Sequence, residues 1–374
     1  MLFRSCEKSE VTAYGTQGAL GPNNATFESS TSFGAKNIMP IQLNNYLTFV
    51  QRGAKRVRDI IFNWDQSQYK STNLSLQTDH FLQYSYSYET GSTSVDEVQD
   101  EDTIDSIVKI DGKQSMLFVK TTYGQLYCSV LDRDFGTNAW ARVAISSSSS
   151  SYPTSPYFNT QRVYAISPSA DGTELVALVY RDSGNFLVVM RPAYEFDNPF
   201  RTGLTVSTKP QMLDFSCNAL AAAATPTTSW YARTGASFTN RYSGKSVSVI
   251  ADGNYVGEVT VGSDAAGSFT CPVAASSVQI GYLYKGRLKT MPLMVGGQYG
   301  LPKGRHKNID EMEISFYKSL NARYGKDFDT MYTIPMRNSS QLMGESPDYF
   351  TGNKIVTFPP GYDREINVCI EQDK

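Results

Sequence analysis

The feature that most constrains the fold of this chain is a unit of short apolar strands joined by tight turns, which the sequence repeats. Between Val163 and Met190 three such strands, VYAI, TELVALVY and FLVVM, are separated by the segments SPSADG and RDSGN. A longer version with four strands, IDSIVKI, SMLFVK, QLYCSVL and AWARVAI, runs from Ile104 to Ile145. A repeated antiparallel unit of this length predicts small meander sheets that pack on one another.

The turns between these strands carry residues that tolerate a positive φ. Asp111-Gly112 and Asp171-Gly172 are hairpin dipeptides of this kind. A further strand pair, YLTFVQ and KRVRDIIF, flanks the turn Arg52-Gly53-Ala54. With 24 Tyr and 19 Phe in 374 residues, the composition also favours strands. We therefore predict an all-β protein that contains an incomplete β-propeller of about three blades.

The composition of the sequence shifts at AAAATPTTSW, residues 221–230, and a region with a different pattern follows. In KSVSVIADGNYVGEV and VQIGYLY, valine and isoleucine alternate with small polar residues around the dipeptide Asp252-Gly253. This alternation predicts a small β-sandwich or barrel inserted between propeller strands. The predicted organisation is propeller blades over residues 1–215, the inserted β-domain over 216–295, and a return to propeller strands over 296–374.

Helical patterns are scarce in the sequence. The best helix candidate is NLSLQTDHF, residues 73–81, in which Asn73 can cap the first turn while Leu74, Leu76 and Phe81 pack inward. The segment QMLDFSCNAL, residues 211–220, is predicted to be helix-like or irregular.

Charge and cysteine content limit the classes of function. The 34 basic and 36 acidic residues leave a net charge of −2, so any contact with nucleic acid must be local. The five cysteines are far apart and form no CxxC pair, which favours reduced structural thiols over a zinc or redox site. The start, MLFRSCEKSE, is charged where a signal peptide is apolar, and no apolar run approaches the ~20 residues of a membrane span. We predict no cofactor, no metal and no membrane span.

Residues that usually carry catalysis are also sparse. His80 lies in the helix candidate, and His306 lies among cations in PKGRHKN without a nearby carboxylate. No GxSxG or HExxH motif occurs, and TNRYSGKS, residues 239–246, precedes a strand where a phosphate-binding loop would open a helix. The acidic run over residues 96–105 lacks the glycine and spacing of a calcium loop and favours a charged loop. We predict a protein that is not an enzyme and has no catalytic residues. The sequence leaves open whether two carboxylates lie at a separation suited to glycoside hydrolysis.

The order of several segments resembles one known family. These segments are YLTFVQRGAKRVRDIIFNWDQSQYKSTNLSLQTDHFL, SGKSVSVIADG, VQIGYLYKGRLKTMPL, GRHKNIDEMEISFYKSLNARYG and FPPGYDREINVCIEQ. Together they are similar to the nozzle proteins of short-tailed bacteriophages, the tail tubular protein B family, from about Phe3 to Gln372. Members of that family have further N-terminal blades and a closing strand beyond the position of Lys374. The chain is therefore expected to be a fragment of a longer gene product, the alternative being that a partner polypeptide completes the propeller.

The resemblance implies a structural virion protein, assembled in the host cytoplasm into the tail. It implies a homohexameric ring through whose lumen the genome is ejected. The expected partners are other copies of the chain, the portal-proximal adaptor, tail fibres or spikes, and translocating DNA in transient contact.

A second function stays open beside the structural one, namely a glycan-binding or glycoside-hydrolysing β-propeller module of a tail or surface protein. Its aromatic candidates are Tyr84, Tyr86 and Tyr88 in QYSYSYET, which at period two can instead line one strand face. The one local basic cluster, Lys303, Arg305 and Lys307, is a possible contact for DNA or for an acidic face of the adaptor.

Overall fold

A computed structural model describes residues 2–5, 9–15, 21, 24–43, 45–63, 68–76, 78, 85–86, 99–100, 102–111, 115–132, 136–143, 145, 162–181, 184–190, 213–232, 241–293, 306–319, 321–336, 350–359 and 361–373. Strands, turns and irregular segments make up nearly all of these residues, which confirms that the protein is all-β. The chain divides into two compact units, Met1–Thr202 (unit 1) and Gly203–Lys374 (unit 2). The finer division at residues 215 and 295 stays a prediction.

Unit 1 consists of short strands that each pair with a neighbour in the chain. Its described strands are β1 Leu2–Ser5, β2 Glu10–Gly15, β3 Ala25–Thr31, β4 Ile41–Leu43, β5 Tyr46–Val50, β6 Val57–Asn63, β7 Gln68–Asn73, β8 Ser85–Tyr86, β9 Gln99–Asp100, β10 Ile104–Asp111, β11 Ser115–Thr121, β12 Leu126–Asp132, β13 Thr137–Val143, β14 Arg162–Pro168, β15 Leu175–Arg181 and β16 Gly184–Met190. They form the antiparallel sheets β1–β3, β4–β7, β8–β9, β10–β13 and β14–β16. The two meanders and the strand pair predicted from the sequence are confirmed.

The sheet β10–β13 is apolar on both of its faces. Successive side chains of a strand point to opposite faces, so neighbouring residues enter different clusters. One face packs on the β4–β7 region, with Ile107, Leu117, Val119, Tyr127 and Leu131 against Leu43, Val50, Val57 and Leu74. The other face packs on the β14–β16 sheet, with Val108, Ile110, Phe118 and Leu126 against Val163, Leu175, Ala177 and Val179. This sheet is therefore an inner layer between two other sheets.

The β4–β7 sheet repeats this arrangement. Phe49 and Ile60 point away from the β10–β13 sheet and form a second small cluster with Ala35. Strand β3 of the first sheet lies beside β7. The β4–β7 sheet thus also carries an apolar cluster on each of its faces.

Turns fix the contacts between consecutive sheets. The amide of Ile104, at the start of β10, donates to the carbonyl of Ala54 in the turn before β6, at 2.7 Å. Gly124, in the turn between β11 and β12, has φ +83°, and its carbonyl accepts a hydrogen bond from the amide of Val163 at 2.9 Å. A Cβ at Gly124 would lie 2.9 Å from Cβ of Arg162, so glycine is required for this close approach.

Unit 2 contains the remaining described strands. They are β17 Asp214–Asn218, β18 Leu220–Ala221, β19 Thr227–Tyr231, β20 Ser246–Ala251, β21 Asn254–Thr260, β22 Ser268–Ala275, β23 Val278–Tyr282, β24 Lys285–Lys289, β25 Glu311–Ser319, β26 Ala322–Gly325, β27 Met331–Thr333, β28 Phe350–Thr357 and β29 Cys369–Asp373. The sheet orders are β17-β23-β20-β21, β18-β19-β22, β24-β29-β26-β27 and β25-β28.

The first two sheets of unit 2 bury the alternating valine and isoleucine side chains predicted from the sequence. Val247, Val249, Val278 and Ile280 are all buried. The hairpin at Asp252-Gly253 is confirmed, with φ of +48° and +93° at its two residues. Strands β20 and β21 also lie against β22 of the second sheet.

The other two sheets of unit 2 share one apolar cluster. Met312, Ile314 and Phe316 of β25 pack with Ala322 and Tyr324 of β26. Because Ala322 and Tyr324 alternate with Arg323 and Gly325 along β26, the latter two lie on the opposite face of the β24-β29-β26-β27 sheet. That opposite face carries the candidate site described below.

The predicted helix at residues 73–81 is wrong over its described part. Asn73 ends strand β7, and the described residues that follow, 74–76 and 78, form a tight turn in which the amide of Thr78 donates to the carbonyl of Ser75 at 3.0 Å. Asn73 still has the expected capping role, because its Oδ1 accepts from the Ser75 amide at 3.1 Å. Leu74 is buried, but Leu76 is 64% exposed, so the leucine spacing does not describe one helix face. Phe81 and His80 lie outside the described residues.

The segment QMLDFSCNAL is a strand over Asp214–Asn218, where a helix-like or irregular segment was predicted. The pairing of β17 with β23 shifts register between Asp214 and Cys217. Phe215 has φ +51° at this irregularity. A bulge of this kind interrupts the period-two pattern, which is why alternation did not indicate the strand.

Candidate functional site

Of the three cations singled out in the sequence, Lys307 is the one that the structure describes; Lys303 and Arg305 lie outside the described residues. Lys307 pairs with Asp363 in an isolated antiparallel bridge, with amide-to-carbonyl distances of 2.8 and 3.0 Å. Its ammonium group donates to the carbonyls of Leu293 at 2.8 Å and Arg364 at 3.4 Å. Lys307 therefore ties together three chain segments. A role of the cluster in binding DNA or the adaptor stays a prediction.

A different basic cluster is assembled by strand pairing in unit 2. Lys285, Arg287 and Lys289 alternate along β24 and share one face. Strand β29 lies between β24 and β26, and the register places Glu371 opposite both Arg287 and Arg323. We call the surface formed by Lys285, Arg287, Lys289 and Arg323 around Glu371 the basic face.

Glu371 is the buried centre of the basic face. Its side chain is 3% exposed, and Oε2 accepts from Nε of Arg287 at 2.6 Å. Nζ of Lys285 and Nη1 of Arg323 lie 3.6 and 3.8 Å from Oε1. A buried carboxylate is stabilised only when it is paired, and three cations surround this one. The three cations keep 33–40% of their side chains exposed, so each also reaches solvent.

A loop over residues 326–330 lies against the same face. The thiol of Cys369 donates to the carbonyl of Lys326 at 3.4 Å, and the guanidinium of Arg287 lies 4.8 Å from the centre of the Phe328 ring. Asp327 closes the loop by accepting from the Thr330 amide and hydroxyl, both at 2.7 Å. These hydrogen bonds lower the pKa of Asp327, and the bond from the Thr330 hydroxyl has the largest effect.

The chemistry of the basic face is electrostatic. Cations outnumber carboxylates there, even when Asp327, which interacts with the charge of Lys289, is counted beside Glu371. Burial raises the pKa of Cys369, the nearest thiol, so that group is a poor nucleophile. Exposed cations at fixed spacing on a strand are suited to binding an extended anion.

The other residues that were considered as functional candidates in the sequence are located as follows, where the structure describes them. His306 is exposed, and its Nε2 lies 3.4 Å from Nε of Arg364. The segment TNRYSGKS is described from Arg241, which opens a turn that leads into strand β20. Tyr84 and Tyr88, the aromatic residues considered for glycan binding, lie outside the described residues, and Tyr86 is described only as part of β8. Within the described ranges, no three His, Cys, Asp or Glu side chains are grouped so that they could hold a metal ion.

The described end of the acidic run makes polar contacts in unit 1, and Asp102 is its buried member. Asp102 is 1% exposed, and its Oδ1 accepts from the amides of Thr103 at 2.9 Å and Tyr123 at 3.2 Å. Asp105 pairs with Nζ of the buried Lys120 at 2.5 Å. Burial raises the pKa of Asp102, although the hydrogen bonds and the charge of Lys120 oppose this rise.

We expect Asp102→Asn to change how stability depends on pH. The folded-state pKa of Asp102 is raised, so the folded protein binds this proton more tightly than the unfolded chain does. The stability that this group contributes is fully present below its ordinary pKa of about 4 and is lost as pH rises through the raised value. Urea unfolding from about pH 3 to pH 7 should therefore show wild type losing stability relative to the variant as pH rises. A difference that is constant over this range would contradict the prediction.

Comparisons with known proteins supply no family. No protein-family model matches the chain, and no curated protein matches its sequence. In the part of the chain that the structure describes, no helix is long and apolar enough to cross a bilayer.

Proposed function

We propose that this chain is a structural subunit of the tail nozzle of a short-tailed bacteriophage, which forms part of the channel for genome ejection. In this proposal the sheets of unit 1 are blades of an incomplete β-propeller, and the two sheets over residues 213–282 are the inserted β-sandwich. The proposed partners are further copies of the chain in a hexameric ring, the portal-proximal adaptor, tail fibres or spikes, and passing DNA. The proposed location is the virion tail.

The observation that carries this proposal is the layered packing in unit 1. The β10–β13 sheet shares one apolar cluster with the β4–β7 region and another with the β14–β16 sheet. Propeller blades bury both faces against neighbouring blades in this way. The order of sequence segments that resembles the nozzle family adds independent support.

Exposed apolar side chains on the described β14–β16 sheet favour assembly. On the β14–β16 sheet, Leu187 and Val189 are 73% and 51% exposed, and Tyr164 is 51% exposed. Their exposure contrasts with the buried face of the same sheet, where Leu175, Ala177 and Val179 pack. Large exposed apolar groups on one sheet are typical of surfaces that are covered in an assembly.

The proposal is tested by the mass of the particle in solution. Light scattering and native mass spectrometry of the purified chain should give six times the 41.4 kDa mass of one copy, maintained over a dilution series. A monomer at every concentration would contradict the proposed ring. Glycan-array binding by such a monomer would favour the alternative module.

A further inference from the structure

We propose that the basic face of unit 2 binds the phosphodiester backbone of nucleic acid. The argument rests on Lys285, Arg287 and Lys289 of β24 and on Arg323 of β26, which pairing with β29 brings to one surface. Phosphate contacts from lysine and arginine supply sequence-independent affinity for nucleic acid. The face therefore binds nucleic acid without regard to its bases.

The spacing of the cations fits a repeating anion. Alternate residues of a strand are about 6.8 Å apart, so Lys285, Arg287 and Lys289 form an evenly spaced row of three charges. This step is close to the separation of consecutive phosphates in an extended single strand. Among the strands that the structure describes, β24 is also an edge strand of its sheet, a position at which an incoming chain can lie alongside.

Glu371 positions three of the four cations of the basic face and limits the affinity of that face. Its contacts with Nε of Arg287, Nζ of Lys285 and Nη1 of Arg323 restrict the orientations of three flexible side chains. The same carboxylate neutralises part of their charge. We expect binding that is weak and strongly weakened by salt, so that a strand can move along the face without being held.

An acidic polypeptide is the competing ligand for such a surface. Glu371 already provides the close carboxylate partner of Arg287, at 2.6 Å. The cations of β24 form a regular row of exposed charges. A polymer with one negative charge in every repeat matches this row better than a polypeptide with irregularly placed carboxylates does. Phosphodiester is therefore the ligand that the geometry favours.

The test compares two charge-matched double variants. Lys285→Gln with Lys289→Gln removes two charges from the basic face and leaves the Arg287–Glu371 pair in place. The control, Lys36→Gln with Lys70→Gln, removes the same charge from exposed positions of unit 1. Binding of fluorescein-labelled oligothymidylate is followed by fluorescence anisotropy at several salt concentrations.

We expect the basic-face variant to bind the oligonucleotide about tenfold more weakly at low salt. The slope of log K plotted against log salt concentration should also become shallower by about 1.4, because each of the two lost phosphate contacts contributes about 0.7 for a single strand. The control should bind like wild type. The proposal is overturned if wild type does not bind at low salt, if both variants behave alike, or if poly-glutamate competes more strongly than an oligonucleotide of equal charge. Because binding is measured whether or not a ring forms, failure here is distinct from failure of the proposed assembly.

Discussion

Leu117→Ala and Phe118→Ala are each expected to lower the free energy of unfolding by about 2–5 kcal/mol. The two residues are adjacent in β11, and their side chains enter different apolar clusters on opposite faces of the β10–β13 sheet. Both are buried, at 0% and 8% exposure, so each truncation removes apolar contacts and leaves a cavity. Comparable decreases in the free energy of unfolding at these two adjacent positions would indicate that the sheet is covered on both faces.

The measurement is urea unfolding, with hydrogen-exchange mass spectrometry of peptides from β10–β13 to follow unit 1. Leu76→Ala in the turn after β7 is the control, because its side chain is 64% exposed and its loss should change stability by no more than about 0.5 kcal/mol. A small effect at either Leu117 or Phe118 would show that one face of the sheet is open to solvent.

Gly124→Ala is expected to destabilise unit 1 by about 2–5 kcal/mol, since a left-handed conformation costs a non-glycine residue about 1–2 kcal/mol and overpacking adds about 1–3. The added Cβ would lie 2.9 Å from Cβ of Arg162 and about as close to the backbone of Val163. Backbone atoms cannot rotate away from the added Cβ as a side chain could. The turn between β11 and β12 must therefore move away from the start of β14.

Gly136→Ala separates the two contributions to this loss. Gly136 has φ +65°, and a Cβ there meets nothing within 4 Å, so this variant should lose only the conformational part. Thermal unfolding of both variants gives the comparison directly. Equal losses at Gly124 and Gly136 would mean that the contact between the sheets contributes nothing.

The strands of unit 1 could be predicted because their signals are local. The β14–β16 meander has turn residues within a few positions of alternating apolar runs, and hairpins depend on neighbours in the chain. The packing of β10–β13 on both faces is also indicated by Ile107-Val108 and by Leu117-Phe118-Val119, where consecutive residues are apolar. Which sheets cover its two faces depends on packing between segments that are distant in sequence.

The basic face could not be predicted from any one segment. Arg287, Arg323 and Glu371 are separated by dozens of residues, and only the pairing of β24, β29 and β26 brings them together. The contiguous cations of PKGRHKN were more visible, yet the described one, Lys307, contacts backbone carbonyls. The alternation of Lys285, Arg287 and Lys289 was the available signal, and it predicts a charged strand face once β24 is recognised as a strand.

Negative-stain electron microscopy of the purified chain tests the central proposal, a tail channel built from layered sheets, most directly. Two-dimensional class averages should show a six-fold ring with an open central lumen. Averages that contain only single compact particles, at a concentration where light scattering also reports a monomer, would contradict the proposed function.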